Sequence, residues 1–389
     1  MEYLHRKTDK ANLEISSFAA GDANEIHLFV KNDRAGGFEE QLSSVTAALG
    51  GYLKGNDIPS DAVAFARYFV SDYSNQAGAL QSVRGSGAVT SGAVSIVQQP
   101  PLDDSKLAAW FYIVADRTGK TPDMTVTSDA ENRMRRGHYE HLWNTGLSAG
   151  QSSSDSFRQT ADIFSDYGRK LERYGYCLKD DLIRTWLFVK DIDSDYGGVV
   201  EARKDFFHRH GLTADTHYVA STGIGGRHAD PAKSVLMDAY AVRGLSRKQV
   251  RFLQARENLN PTYEYGVTFE RGTSIDYGDR RHIFISGTAS IDRDGNILHV
   301  NDVRRQTERA VENIEALLDD AGATLGDVAQ MLVYLRDVAD ARTVAEALDA
   351  RCRNIPKVVL LAPVCRPGWL VEIECIAVRP ATNLDFANF

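Results

Sequence analysis

The stretch Leu370-Val371-Glu372-Ile373-Glu374-Cys375-Ile376-Ala377-Val378 reads as a strand with an unusual division of faces. Alternate side chains leave a strand on opposite sides, so Val371, Ile373 and Cys375 share one face while Glu372 and Glu374 share the other. Two carboxylates on one side of an otherwise apolar strand are either a solvated surface or an acid held in a cleft. What precedes the strand sets its context.

Upstream, Val303, Ala310, Val311, Ile314, Leu317 and Leu318 recur largely at three- and four-residue steps, with Asn301 or Asp302 to cap a helix and Gly322 to stop it. A strand from Val328 to Leu335 and a second helix from Ala339 to Cys352 follow. Two more strands, Val358 to Ala362 and Leu370 to Val378, flank a turn holding Pro363, Pro367 and Gly368. Ahead of the first helix, His282 to Ser286 is expected to pair with Asn296 to His299 across Asp292-Arg293-Asp294-Gly295. The unit is β-β-α-β-α-β-β, an α+β layer in which two helices cover one face of a sheet.

The same pattern occurs three times. A Gln on a helical pattern is followed by an apolar strand ending in Asp: Gln41 with Asp72, Gln159 with Asp191, Gln306 with Asp337, at separations of 31, 32 and 31 residues. Each layer alone leaves one sheet face bare. Three copies bury those faces against one another as an intrachain pseudo-trimer with a central barrel of sheets. The expected domains are 1–124, 125–257 and 258–389, with Thr118 to Asn132 and Leu245 to Leu259 as connectors. Such a chain needs no further copy, so a monomer is expected.

The 389 residues, 43% hydrophobic and 25% charged, suit a globular chain of two or three domains. A net charge of −8 without a basic run argues against nucleic acid and leaves room for a local cationic pocket. No apolar run approaches the ~20 residues of a membrane span, and Met1-Glu2-Tyr3-Leu4-His5-Arg6-Lys7 lacks a signal-peptide core, so a cytoplasmic location is expected. Cys177, Cys352, Cys365 and Cys375 form no CxxC pair and are read as reduced thiols. His138/His141 and His208/His210 are read as solvent-facing helix residues, with no metal set and no cofactor.

With Phe284-Ile285-Ser286-Gly287, the Gln306 helix and Tyr334-Leu335-Arg336-Asp337 beside the terminal strand, the third copy resembles the RidA (YjgF-like) family. The whole chain looks like three tandem RidA-like domains. Family deaminases carry an Arg about fifteen residues before the first Glu of the strand, where this chain has Lys357. A further resemblance, over about residues 140 to 380, is to the chorismatases. It rests on Arg184-Thr185-Trp186, Ser221-Thr222-Gly223-Ile224-Gly225-Gly226, Pro261-Thr262-Tyr263-Glu264-Tyr265-Gly266 with Phe269 and Arg271, and Cys365-Arg366.

That resemblance implies cleavage of the enol-pyruvyl ether of chorismate, with Glu372 as general acid. Gly287 and Cys365 resemble the class that forms 3-hydroxybenzoate, and Cys365 is carried over as a catalytic residue. The substrate contacts implied are Arg184, Thr222, Gly223, Tyr263, Tyr265, Arg271, Gly287, Tyr334 and Arg366. Arginine forks suit planar carboxylates, and Arg184, amid an apolar strand, calls for a buried anion partner, with a salt bridge inside the barrel as the lesser alternative; the two tyrosines could equally be packing residues. The position of Glu372 is Ala108 in the first copy and Leu236 in the second, so one site per chain is expected, between the second and third copies. The rival readings are a RidA-type enamine or imine deaminase and a non-catalytic binder of small anions.

Overall fold

The structure is a computed structural model that describes residues 1–8, 10–32, 36–85, 92–117, 123–150 and 155–389, with the backbone alone at 82–85 and 265. The first domain contains β1 (Glu2–Lys7), β2 (Ala11–Ala20), β3 (Ala23–Asn32), α1 (Phe38–Gly55), β4 (Val63–Val70), α2 (Tyr73–Gly85), β5 (Ala93–Gln98) and β6 (Leu107–Asp116). The second contains β7 (Asp123–Ser128), β8 (Glu131–Arg136), β9 (Tyr139–Leu147), α3 (Ser156–Arg173), the single turn α4 (Leu178–Asp181), β10 (Leu182–Val189), α5 (Ile192–Arg209), β11 (Ala220–Gly225) and β12 (Val235–Arg243). The third contains β13 (Val250–Phe252), β14 (Gly272–Asp276), β15 (Arg280–Ala289), α6 (Val303–Asp320), β16 (Val328–Leu335), α7 (Ala341–Cys352), β17 (Lys357–Leu361) and β18 (Val371–Pro380). These are three tandem α+β domains with one topology. Their six-stranded sheets run β1-β2-β3-β6-β4-β5, β7-β8-β9-β12-β10-β11 and β13-β14-β15-β18-β16-β17. Among the described strands, only the pairs β4–β5, β10–β11 and β16–β17 are parallel.

The repeated Gln and Asp have mechanical roles. Gln41, Gln159 and Gln306 are buried, and each Oε1 accepts an N–H just ahead of its domain's last strand, from Lys106, Ser234 and Leu370, in every case at 2.8 Å. The first helix of each domain is thereby fastened to the strand at the sheet's centre, and a buried amide finds its partner. Asp72, Asp191 and Asp337 accept N–H groups of the turn that opens the second helix, from Asn75, Ser194 and Ala339.

On the faces away from the helices, Phe65, Trp110, Trp186, Tyr240, Phe284 and Ile376 of the three sheets meet in one continuous core. Charges cross these seams fully buried. Arg67 of the first domain pairs with Asp238 of the second at 2.8 Å, and Arg280 of the third pairs with Glu25 of the first at 2.6 Å.

Three expectations are corrected. β15 pairs with β14, not with Asn296 to His299; residues 290–299 keep a single bridge, Ile291 to Ile297. Residues 272–276 offer a full five-residue ladder to β15, which a short polar segment cannot match. The stretches read as connectors supply β7, the start of β8 and β13, while residues 118–122 lie outside the described residues. His141 lies on β9, fully buried against the Tyr240 hydroxyl at 2.7 Å, and burial pushes its pKa down to about 3. No helix among the described residues is long and apolar enough to cross a membrane.

Candidate active site

A cavity of about 420 Å³ opens between the second and third domains. The second domain supplies Tyr196, Glu201, Arg203 and Lys204 from α5, with Ser221, Thr222 and Gly223 from β11. The third supplies Phe269 and Arg271 from the segment before β14, Gly287 and Ala289 from β15, Cys365, Arg366 and Trp369 from the turn before β18, and Glu372 from β18.

Glu372 is 5% exposed and makes no hydrogen bond to protein among the described residues. Burial pushes its pKa up to about 8; the neighbouring Glu374 adds to the rise, and Arg184 and Arg271 oppose it. At neutral pH its carboxyl therefore carries a proton with no protein acceptor, which is the state a general acid requires.

Glu374, one alternation along β18, is treated differently. Its carboxylate accepts Trp186 Nε1 at 2.7 Å and Arg184 Nη2 at 2.9 Å, both from β10. Arg184 is thus engaged inside the seam and does not line the cavity. It also donates to Thr222 Oγ1 at 2.6 Å and Ser286 Oγ at 3.1 Å, while Thr222 Oγ1 accepts the Gly287 N–H at 2.9 Å. The arginine expected to clamp a ligand instead staples β11 to β15, the two walls of the cavity. A guanidinium on a buried strand needs a charge partner, and Glu374 provides it.

Of the other expected residues, Cys365, Thr222, Gly223, Gly287, Arg271 and Arg366 line the cavity with Glu372. Arg271 donates to the carbonyl and side chain of Asn260 and lies 5.7 Å from the Phe269 ring centre; Arg366 lies 4.8 Å from that of Trp369. Burial, with Glu372 adding to it, pushes the Cys365 thiol up to about 12, so it stays protonated and is no thiolate nucleophile. Gly223 is required by contact, since a Cβ there would come within 2.7 Å of the Tyr196 ring.

Tyr263 does not join them. It is 47% exposed on a one-turn helix that ends at the left-handed Gly266, and among the described side chains and backbone of that segment Gly266 and Val267 reach the cavity. The Tyr265 side chain lies outside the described residues. Tyr334 is fully buried beside Glu372 on the neighbouring strand and does not line the cavity.

Reading the sequence missed Arg203, Lys204, Glu201 and Tyr196. Arg203 is buried, donates to Thr268 Oγ1 at 3.2 Å and Ser221 Oγ at 3.3 Å, and lies 5.9 Å from the Phe269 ring centre. The signal was their helical spacing after Asp191, on a helix read only as an outer layer.

A fold of three RidA-like layers with a buried, unpaired carboxyl in the seam between the second and third defines the class. The family model described as endoribonuclease L-PSP matches residues 275–379. A RutC family protein of Pyrococcus abyssi is 33% identical over 99 residues, which is 25% of this chain and 78% of that protein. The chain belongs to this RutC family of RidA-like proteins. It is also homologous to a chorismatase of Streptomyces hygroscopicus, 27% identical over 231 residues that span 55% of this chain and 66% of that protein. A solved chorismatase structure shares the fold, with a TM-score of 0.63 at 20% identity over 82% of this chain and 95% of that one.

Proposed function

We propose that the protein is a chorismatase-like enzyme that cleaves the enol-pyruvyl ether of chorismate, with Glu372 as the general acid. The observation that carries this reading is a protonated, unpartnered carboxyl facing a cavity lined by Arg203, Lys204, Arg271 and Arg366. Among the described lining residues these four cations face only two acids, the protonated Glu372 and Glu201, which makes a site suited to a dicarboxylate, as chorismate is. Proton transfer from Glu372 to the enol CH₂ produces an oxocarbenium ion at the ether carbon. In hydrolysis water adds to that carbon, and the hemiketal collapses to pyruvate and the ring diol. In the intramolecular route the ring C–O bond breaks and pyruvate leaves with the ether oxygen as its keto oxygen. The neighbouring ring hydroxyl oxygen bonds to the vacated carbon as its proton returns to Glu372, and the ring isomerises to 3-hydroxybenzoate.

We assign 3-hydroxybenzoate and pyruvate as the products, a conversion that consumes no water. Gly287 and the neutral thiol of Cys365 support this over hydrolysis to a dihydroxycyclohexadiene carboxylate, because the thiol can hold a ring hydroxyl without attacking it. The competing enamine or imine deaminase gains no support from Lys357, whose ammonium donates to Cys352 O at 3.0 Å at the end of α7 and does not line the cavity. Incubation with chorismate, followed by enzymatic assay of pyruvate and chromatography of the aromatic product, tests the reading. Absence of pyruvate overturns it. Release of ammonia from an amino-acid-derived enamine would favour the deaminase, and unchanged behaviour of Glu372→Gln would favour a non-catalytic anion binder.

A further inference from the structure

Among the described residues the first domain supplies none to the cavity, yet two backbone bridges tie it to the second and third domains, and another ties those two together. Gln98 pairs with Arg227, Ile224 with Val364, and Pro101 with Leu360, joining first domain to second, second to third and third to first. The second of these joins lies next to the cavity. There the Gly225 N–H donates to Pro363 O at 2.9 Å, two residues beyond Gly223 on one wall and two before Cys365 on the other.

The remaining polar atom of that glycine, its carbonyl, accepts Gln99 Nε2 of the first domain at 2.6 Å, and Gln99 is fully buried. From Gly225 the connection to the acid is short. Thr222, three residues back, accepts the Gly287 N–H, and the Glu372 carboxyl rests against Gly287.

We propose that Gln99 is a positioning residue for the cavity: from the first domain it fixes the peptide at which the two walls join, and so holds Thr222 and Gly287 in place around Glu372. The inference rests on the chorismate-cleaving reading for its kinetic readout but not for its structural one. Gln99→Met keeps the volume and removes the donor, leaving a buried carbonyl unpaired. Tyr3→Phe is the matched control, since the Tyr3 hydroxyl bonds Val328 O at 2.7 Å, joining the first domain to the third away from the cavity.

Both variants should lower the thermal midpoint. Only Gln99→Met should lower kcat/KM for pyruvate release, by about tenfold, the equivalent of one lost buried hydrogen bond. Equal kcat/KM in the two variants would overturn the proposal. Should the parent not turn over chorismate, the functional reading fails and exchange of the Thr222 to Gly226 amides decides: faster exchange in Gln99→Met than in parent and Tyr3→Phe supports positioning, and identical exchange rejects it. Gln99→Asn, one methylene short, takes the place of the Met variant if that does not fold.

Discussion

A Cβ on Gly287 would stand 2.1 Å from Oε1 of Glu372, closer than any real contact, so the bare glycine is what allows the carboxyl to sit where it does. Gly287→Ala must therefore push the acid aside by roughly an ångström, a displacement that typically costs about a hundredfold in rate. The expected outcome is a loss of that order in pyruvate release with far-UV circular dichroism unchanged, and a product mixture shifted toward the diene diol on chromatography. An alanine variant with parental rate and product would contradict the placement of the acid.

The pH dependence follows from the raised pKa of Glu372. With the value near 8, kcat/KM should hold steady through neutrality and fall about tenfold per pH unit above it as the acid ionises. Stability carries the same sign. The folded pKa lies above the ordinary 4.5, so the contribution of the protonated form is fully present below about 4.5 and is lost as pH rises through about 8. Glu372→Gln should abolish turnover and lose this dependence, becoming more stable than the parent at pH 9 but not at pH 4. Urea titrations at the two pH values check it.

The Arg184–Glu374 pair joins two domains inside a buried seam at 2.9 Å. Either Arg184→Met or Glu374→Gln should destabilise by about 3–5 kcal/mol, because each strands a buried polar partner, and the double variant should lose much less than the sum. In Glu374→Gln the alkaline limb of the rate profile should also move to lower pH. The carboxylate that helps raise the pKa of Glu372 is gone, and Arg184, which lowers it, is no longer compensated. A limb that moves upward would refute this coupling.

Each repeated glutamine fastens its own domain, so Gln41→Leu, Gln159→Leu and Gln306→Leu should each cost about 1–3 kcal/mol in chemical denaturation, with nearly additive effects in combination. Strong non-additivity would show that the three clamps act on one shared element.

These clamps explain why the repeat was legible in the sequence. Gln and Asp do local work that recurs with the topology, so their spacing survives where the rest of the three copies has drifted. The face of β18 bearing Glu372 was legible for the same reason, through strand alternation. The partner of Arg184 was not, because Glu374 lies 190 residues away in the sequence and no local pattern links them. The cavity face of α5 was written in the spacing of Tyr196, Val200, Arg203 and Lys204, but which neighbour that face meets depends on how domains pack. The misread hairpin has a simpler origin: an Asp-Gly turn signal outweighed the plain strand Gly272-Thr273-Ser274-Ile275-Asp276, whose claim on β15 lies in its ladder of backbone hydrogen bonds.

Finally, the cavity's opposing walls belong to one polypeptide. In an assembly of separate subunits, mass action would dissolve such a site on dilution, whereas here the second wall is present at a concentration fixed by the linking peptide. Specific activity should accordingly be the same at picomolar as at micromolar protein, and the tether leaves the other two seams free to diverge without loss of the one that holds the acid.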